Sequence, residues 1–332
     1  MRKALLGIAL AAIVMLLLPT MAFAADPAAR IGSTDYDTLF DAIIAVQPGE
    51  TIVLLRDVAE AESFTFGVAD DFTIDMNGYD WDLLGEHLIV QGGHLVIDNG
   101  GTLVLDFIDV GSGGTLEITA ECLWEDYIDV FDSSTFILHG DLVVTDGDGI
   151  HARYSSTVEI YGNVTITRGE YTVISAFTGS TVYVSGNVIG EGQEDLGVEC
   201  SGGAEVTIDG EIDSYWYIYF PGMDDEGVLK EEGDTDPVSI KEGYLQYSHT
   251  VTFEGEEVTS YVWVKIQEDV PDEPVVPDEP DEPDEPVVPG PGEPVVPETA
   301  DASMLTVAAD GLLGMVALGA LVAARASRKE RD

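Results

Sequence analysis

The chain has 332 residues, of which 63 are Asp or Glu and 13 are Lys or Arg, for a formal charge of −50 at pH 7. A surface this negative repels phosphate backbones and anionic headgroups, which argues against nucleic acid and acidic lipid as partners. The balance suits an exported, soluble, cation-attracting protein, and a salt-loving host would favour the same composition.

Residues 1–24 have the layout of an export signal. Arg2 and Lys3 precede an apolar run from Ala4 to Leu18, and Ala22-Phe23-Ala24 forms a small-x-small site. Cleavage is expected between Ala24 and Ala25. Residues 25–48 are read as an N-terminal capping segment. Within them, the run from Tyr36 to Ile43 predicts a short helix with Tyr36, Phe40, Ile43 and Ile44 on one apolar face. Such a cap would cover an open strand edge.

A β pattern recurs from residue 49 to residue 213. Residues 134–142 read Ser-Thr-Phe-Ile-Leu-His-Gly-Asp-Leu, 156–164 Ser-Thr-Val-Glu-Ile-Tyr-Gly-Asn-Val, and 180–188 Ser-Thr-Val-Tyr-Val-Ser-Gly-Asn-Val. Anchored on the second residue, the series is Thr51, Thr73, His94, Thr115, Thr135, Thr157, Thr181 and Glu205, in steps of 20 to 24. Positions +1 and +3 are apolar in every copy, from Ile52/Leu54 to Val206/Ile208. Alternation of this kind marks strands with one buried face. Three short strands per period, separated by Gly, Asp, Asn and Ser, make one coil of a solenoid. About eight coils at ~4.8 Å each give a rod of roughly 35–40 Å.

Residues 214–267 leave the repeat. The aromatic run Tyr215–Phe220 and the stretch Tyr261–Val264 predict a small β cap or appendage. Residues 268–299 repeat Pro-Asp-Glu-Pro and Pro-Val-Val-Pro without an aromatic residue. Such a segment reads as an extended polyproline II linker, reaching about 90–100 Å at ~3.1 Å per residue. Residues 300–332 carry an apolar stretch from Leu305 to Ala324, broken by Asp310, then Arg325, Arg328, Lys329 and Arg331. That order suits a membrane segment with a cytoplasmic basic tail.

Two resemblances follow from these residues. The short motif at Pro297, Glu298, Thr299 and Ala300, then the apolar stretch and the basic tail, resembles the wall-sorting signal of Gram-positive surface proteins. That family reads Leu-Pro-x-Thr-Gly, so Val296 and Ala300 depart from it. The resemblance implies processing by a sortase-like transpeptidase. A retained membrane anchor and an exosortase-type tail are the other readings of the same layout. The repeat itself resembles the right-handed parallel β-helix of the pectate-lyase-like superfamily over residues 49–213. It implies an all-β solenoid, a fold that also hosts polysaccharide enzymes.

Chemistry is sparse against that background. A lyase needs a base and cations, yet the arginines of the repeat, Arg56, Arg153 and Arg168, fall in different coils. Outward acids such as Asp75, Asp98, Glu117, Glu159 and Asp209 come with no catalytic motif. No catalytic residue is therefore assigned. His139 and Tyr161 belong to an outward ladder that could hold a sugar chain, with Tyr183 and Glu159 beside it. An ordinary Asp-Gly turn is the first reading of Asp146 and Asp148, which alternate with glycine; as Ca²⁺ ligands they are the lesser alternative. Cys122 and Cys200 fall three to four coils apart, about 14–19 Å, and are expected to be separate buried thiols. The expected function is an exported, cell-surface-anchored adhesin or ligand-display rod without enzymatic activity, its partners glycans or proteins on host or neighbouring cells. The alternatives are a polysaccharide-active enzyme, a hydrolase before a lyase, and a purely structural wall component.

Overall fold

The computed structural model describes residues 26–267, apart from 125, 169–170, 223–226 and 254–255. The expected signal and its cleavage site, the linker and the sorting and anchor segment lie outside these residues. Among the described residues, no helix is long and apolar enough to cross a membrane.

Short strands stack in parallel on three faces, each strand pairing with its equivalents in the neighbouring coils. The first face runs from Thr51–Leu54 to Glu205–Ile208, the second from Val58–Ala59 to Ile212–Asp213, and the third from Phe64–Gly67 to Trp216–Phe220. The second face is an eight-stranded sheet, and the other two carry the same stack with cap strands added. The protein is thus an all-β parallel β-helix of about seven turns. Its single described helix is short, α1 (Leu39–Ala45).

Parity along each strand decides what enters the core. On the first face Ile52 and Leu54, Leu116 and Ile118, Phe136 and Leu138, Val158 and Ile160, and Val206 and Ile208 are all buried. Burying such a side chain stabilises by ~1.5–3 kcal/mol. One coil alone has no second layer to bury it against, so the gain exists only in the stack. Cys122 continues the second-face column between Leu103 and Leu142, and Cys200 sits beside Ala176 on the third face. Both are buried thiols outside any disulfide, as their separation predicts, and burial pushes the Cys200 thiol well up.

Register is fixed at the corners. Between the first and second faces, a side-chain oxygen of one coil accepts the backbone N–H of the next. Asp141 Oδ1 takes Asn163 N at 2.7 Å, Asn163 Oδ1 takes Asn187 N at 2.8 Å, and Asn187 Oδ1 takes Glu211 N at 2.9 Å. Asp57 and Asp80 do the same lower down, at 3.1 and 2.8 Å. These bonds satisfy corner amides that strand pairing does not reach. The glycines before Asn163 and Asn187 let these corners stack; a Cβ on Gly162 would overlap the Gly140 carbonyl. At the corner from the third face to the first, pairs of left-handed residues recur in five successive coils: Ser112-Gly113, Asp132-Ser133, Tyr154-Ser155, Thr178-Gly179 and Gly202-Gly203. Their backbones bond coil to coil, as in Ser133 N to Tyr154 O at 2.9 Å.

Two expectations are corrected. Thr73 pairs with Thr51 below but with Val96 above, and His94 pairs with Asp71. The anchor slips by two residues there, which leaves the inward parity unchanged. Asn77 sits in a turn beyond this strand, donating from Nδ2 to Leu54 O at 3.1 Å. The helix face also turns. Leu39 and Ala42 are buried, whereas Phe40 and Ile44 are exposed, and Tyr36 belongs to a strand. Ala42 allows α1 a close approach that a bulkier residue would block. Thr38 caps α1, accepting Asp41 N at 3.0 Å, and the Glu60 carboxylate accepts Leu39 N and Phe40 N.

Both ends are closed. The strands Ala29–Ile31 and Thr34–Tyr36 pair antiparallel, and the first of them covers Thr51–Leu54. At the other end, Tyr244–Phe253 and Glu256–Lys265 form a long hairpin whose second strand extends the first face. Tyr247, Val262 and Val264 bury the last core layer.

Removing one rung oxygen leaves an exposed backbone donor of the next coil to water, at a net cost of about 0.5–1.5 kcal/mol. Asn163→Ala and Asn187→Ala are each expected to lose that much in urea unfolding followed by circular dichroism. Gly162→Ala should lose more than either. A Gly162→Ala midpoint equal to wild type would show that the corners stack less tightly than described.

Candidate functional site

The first-face ladder brings the expected residues together. His139 and Tyr161 stand one coil apart with ring centroids 5.1 Å apart and planes 7° from parallel. Tyr183 follows at 5.8 Å, edge-on. Each ring is tied to a carboxylate: His139 Nε2 lies 2.9 Å from Glu117, Tyr161 donates to Glu159 at 2.8 Å, and Tyr183 donates to Asp209 at 3.2 Å. The hydrogen bond to Glu159 raises the Tyr161 phenol, while burial and the Asp209 charge raise that of Tyr183. The faces of His139 and Tyr161 turn toward each other. The ladder therefore offers edges, hydroxyls and carboxylates to a partner, and little open ring face.

The capping hairpin finishes this track. Tyr244 also donates to Asp209, and that hydrogen bond pushes its phenol up to about 12. Lys265 approaches Asp209 at 3.4 Å. Burial pushes the Asp209 carboxyl up, but the two phenols and Lys265 outweigh it and hold the group low. Lys241 bonds Thr207 at 2.7 Å and lies over the rings of Tyr244 and Trp263, at 4.5 and 5.3 Å from their centroids. These lysines belong to residues 214–267, whose position beside the ladder no repeat could announce.

A second ladder, on the third face, escaped the sequence reading. His87, Phe107, Tyr127 and His151 follow one another with centroids 5.1, 4.7 and 5.2 Å apart. His87, Phe107 and Tyr127 recur every 20 residues, so extending the register to the third strand would have found them, whereas His151 pairs with Asp129, two residues past Tyr127. Beside them, Asp109, Asp129, His151, Ser175 and Glu199 form one column of register partners. Arg153 grips Asp129 with two nitrogens and lies over Phe131. Burial, then the neighbouring Asp129 charge, raise the Asp109 carboxyl. Burial likewise raises Glu199.

Asp146 and Asp148 sit at the corner into the third face. Asp148 accepts Thr172 N at 3.0 Å and lies 3.4 Å from His151, and the His151 contact holds its carboxyl low. Asp146 is exposed. The intervening glycines have a packing reason: a Cβ on Gly147 would crowd Asp126, and one on Gly149 would overlap the Val173 carbonyl. Among the described residues, no group of three or more His, Cys, Asp or Glu is arranged to hold a metal ion. Pro297, Glu298, Thr299 and Ala300, like Ala24 and Ala25, lie outside the described residues. Comparison with protein-family models, with known proteins and with solved structures found no match.

The two raised carboxyls have a consequence for pH. A group raised in the folded state favours folding when protonated, and that contribution is lost as pH climbs through its folded value. Acidification from neutrality toward the ordinary carboxylate range, about 4, should therefore raise Tm through Asp109 and Glu199. Below that range the lowered groups Asp98, Asp148 and Asp209 take up protons and stability falls. Asp109→Asn and Glu199→Gln should each raise Tm at neutral pH and flatten the gain on the acid side. Thermal melts from pH 3 to 8 check this, and an unchanged neutral Tm in both variants contradicts the assignment.

Proposed function

We propose that the chain is an exported display rod, held at the cell surface by its C-terminal segment, which binds a neutral glycan along the first-face ladder without turning it over. The observation that carries this reading is the ladder's fixity. His139, Tyr161 and Tyr183 occupy successive coils, and each ring is bonded to a carboxylate, so donors and acceptors recur at the coil spacing. A polysaccharide offers hydroxyls at regular intervals to such a row. The charge of −50 disfavours anionic polymers and leaves neutral or cationic chains. The outward acids support binding over hydrolysis, because Asp98, Glu117, Glu159 and Asp209 are each engaged by a neighbouring side chain.

Export and tethering rest on the ends of the sequence. The signal-like start, the acidic Pro-rich spacer and the layout from Pro297 to Arg331 support a rod displayed outside the cell on a stalk. Cleavage after Thr299 by a sortase-like transpeptidase and retention of residues 305–332 as an anchor give the same display. Intact mass of envelope-released protein separates them: a C-terminus at Thr299 supports the transpeptidase, and a membrane-fraction protein still carrying residues 305–332 supports the anchor.

Glycan-array binding by wild type, weakened at least about tenfold when His139, Tyr161 and Tyr183 are together replaced by Ala, is the expected result. Circular dichroism of that variant should match wild type. Equal binding by the variant refutes the ladder as the site. Release of reducing ends from a neutral polysaccharide, lost in Asp109→Asn, would make the protein an enzyme instead.

A further inference from the structure

A separate feature lies at the C-terminal end of the third face. Pairing with the preceding coil sets Trp216 beside Leu196 and Tyr219 beside Glu199. The antiparallel strand Val228–Lys230 sets Leu229 opposite Tyr219. Leu196, Trp216, Tyr219 and Leu229 line a cleft of about 280 Å³. Trp216 and Leu229 remain 41% and 40% exposed, and the adjoining Tyr215 62%. Tyr215 stands edge-on to Trp216 at 4.8 Å.

The repeat does not require this apolar group. One coil earlier, the register partners of Leu196 and Glu199 are Thr172 and Ser175. The large side chains appear only where the column ends. The surrounding charge is acidic: Glu194 lies two residues before Leu196, Asp213 three before Trp216, and both are exposed, while Glu199 adjoins Tyr219. Lys230 is the single lysine on these three strands.

We infer that this cleft is a docking site for a basic segment of a partner protein. One aromatic or branched aliphatic side chain of the partner seats between Trp216 and Leu229, and its flanking lysines or arginines face Glu194, Glu199 and Asp213. Two features select that partner. The lining side chains offer few hydrogen-bonding atoms, so sugar hydroxyls would be stripped of water without replacement. The carboxylates, on a molecule of charge −50, draw in a cationic segment and orient it. Exposed Trp and Tyr in a small apolar depression are the usual anchors of protein association. The site stands apart from the first-face ladder and does not depend on glycan binding.

The test uses the purified protein and a synthetic lysine-flanked Leu-Phe peptide, followed by calorimetry at low salt. Saturable binding is expected. It should weaken at least about tenfold in Trp216→Ala and in Leu229→Ser, and weaken with added salt. A lysine peptide with Gly-Gly at its centre should not bind measurably. Glu194→Lys, at an exposed position, should weaken binding without disturbing the fold, which covers the case of a Trp216 variant that fails to fold. The triple ladder variant should bind the peptide as wild type does. Absence of binding, equal binding of the Gly-Gly peptide, or undiminished binding by both folded Leu229→Ser and Glu194→Lys would overturn the proposal. Displacement of the peptide by a neutral oligosaccharide would overturn it too, because the cleft would then be a sugar site.

Discussion

The bond from a side-chain oxygen at one corner to the backbone N–H of the next coil is the interaction on which the rest depends. Parallel strands at ~4.8 Å could stack in several registers, because the apolar columns alone tolerate a slip of two. The rungs from Asp141 through Asn163 and Asn187 to Glu211 remove that freedom, since each oxygen meets a single amide. Glycine must precede the rungs at Asn163 and Asn187, as the clash at Gly162 shows. The Gly-Asn and Gly-Asp pairs of the repeat are thus the chemistry of register, and the alternating apolar residues are the chemistry of burial.

Once register is fixed, outward residues have to form ladders. In a chain this acidic, the ladders carry a cost, because like charges one coil apart repel. Interleaving relieves most of it. Carboxylates alternate with donors, as in Asp98 with Thr119, Glu117 with His139, Glu159 with Tyr161, and Asp129 with Arg153. Where acids become direct neighbours, as Asp109 and Asp129 do, burial and then the repulsion raise the Asp109 carboxyl. The same interleaving makes the first face a row of donors and acceptors, so the device that tolerates the charge also builds the candidate binding surface.

Much of this was legible because a period of two and a period of 20–24 are independent signals. Together they placed every inward first-strand pair, separated Cys122 from Cys200, and put His139, Tyr161 and Tyr183 in one row. The failures have a common origin. Thr73 matched the anchor by residue type, but a two-residue slip preserves parity, so no hydrophobic pattern could flag it. The ladder from His87 to His151 sits on the third strand, beyond corners of varying length, where an anchor on the first strand loses track. In α1, both Leu39/Ala42 and Phe40/Ile44 satisfy helical spacing, and the choice fell to the smaller pair because the core beneath admits only a close approach. The cleft at Trp216 lies where the repeat ends, and periodicity says nothing about such a place.

The two ends of the solenoid meet the same problem differently, and the difference bears on function. At the start, an edge is hidden by two three-residue strands and α1, which add little outward chemistry. At the finish, the hairpin brings Tyr244 and Lys265 against Asp209, and Lys241 just before it bonds Thr207 and lies over Tyr244 and Trp263, gathering two of the chain's few cations where the acid ladder stops. A ligand along the first face would meet carboxylates at one end and, at the other, Lys265 beside Asp209 and Lys241 held over aromatic rings. The track has a direction, and a chain with unlike ends would bind it in one orientation. A symmetric rod could not impose that polarity; it arises because the repeat is closed by a sequence that does not repeat.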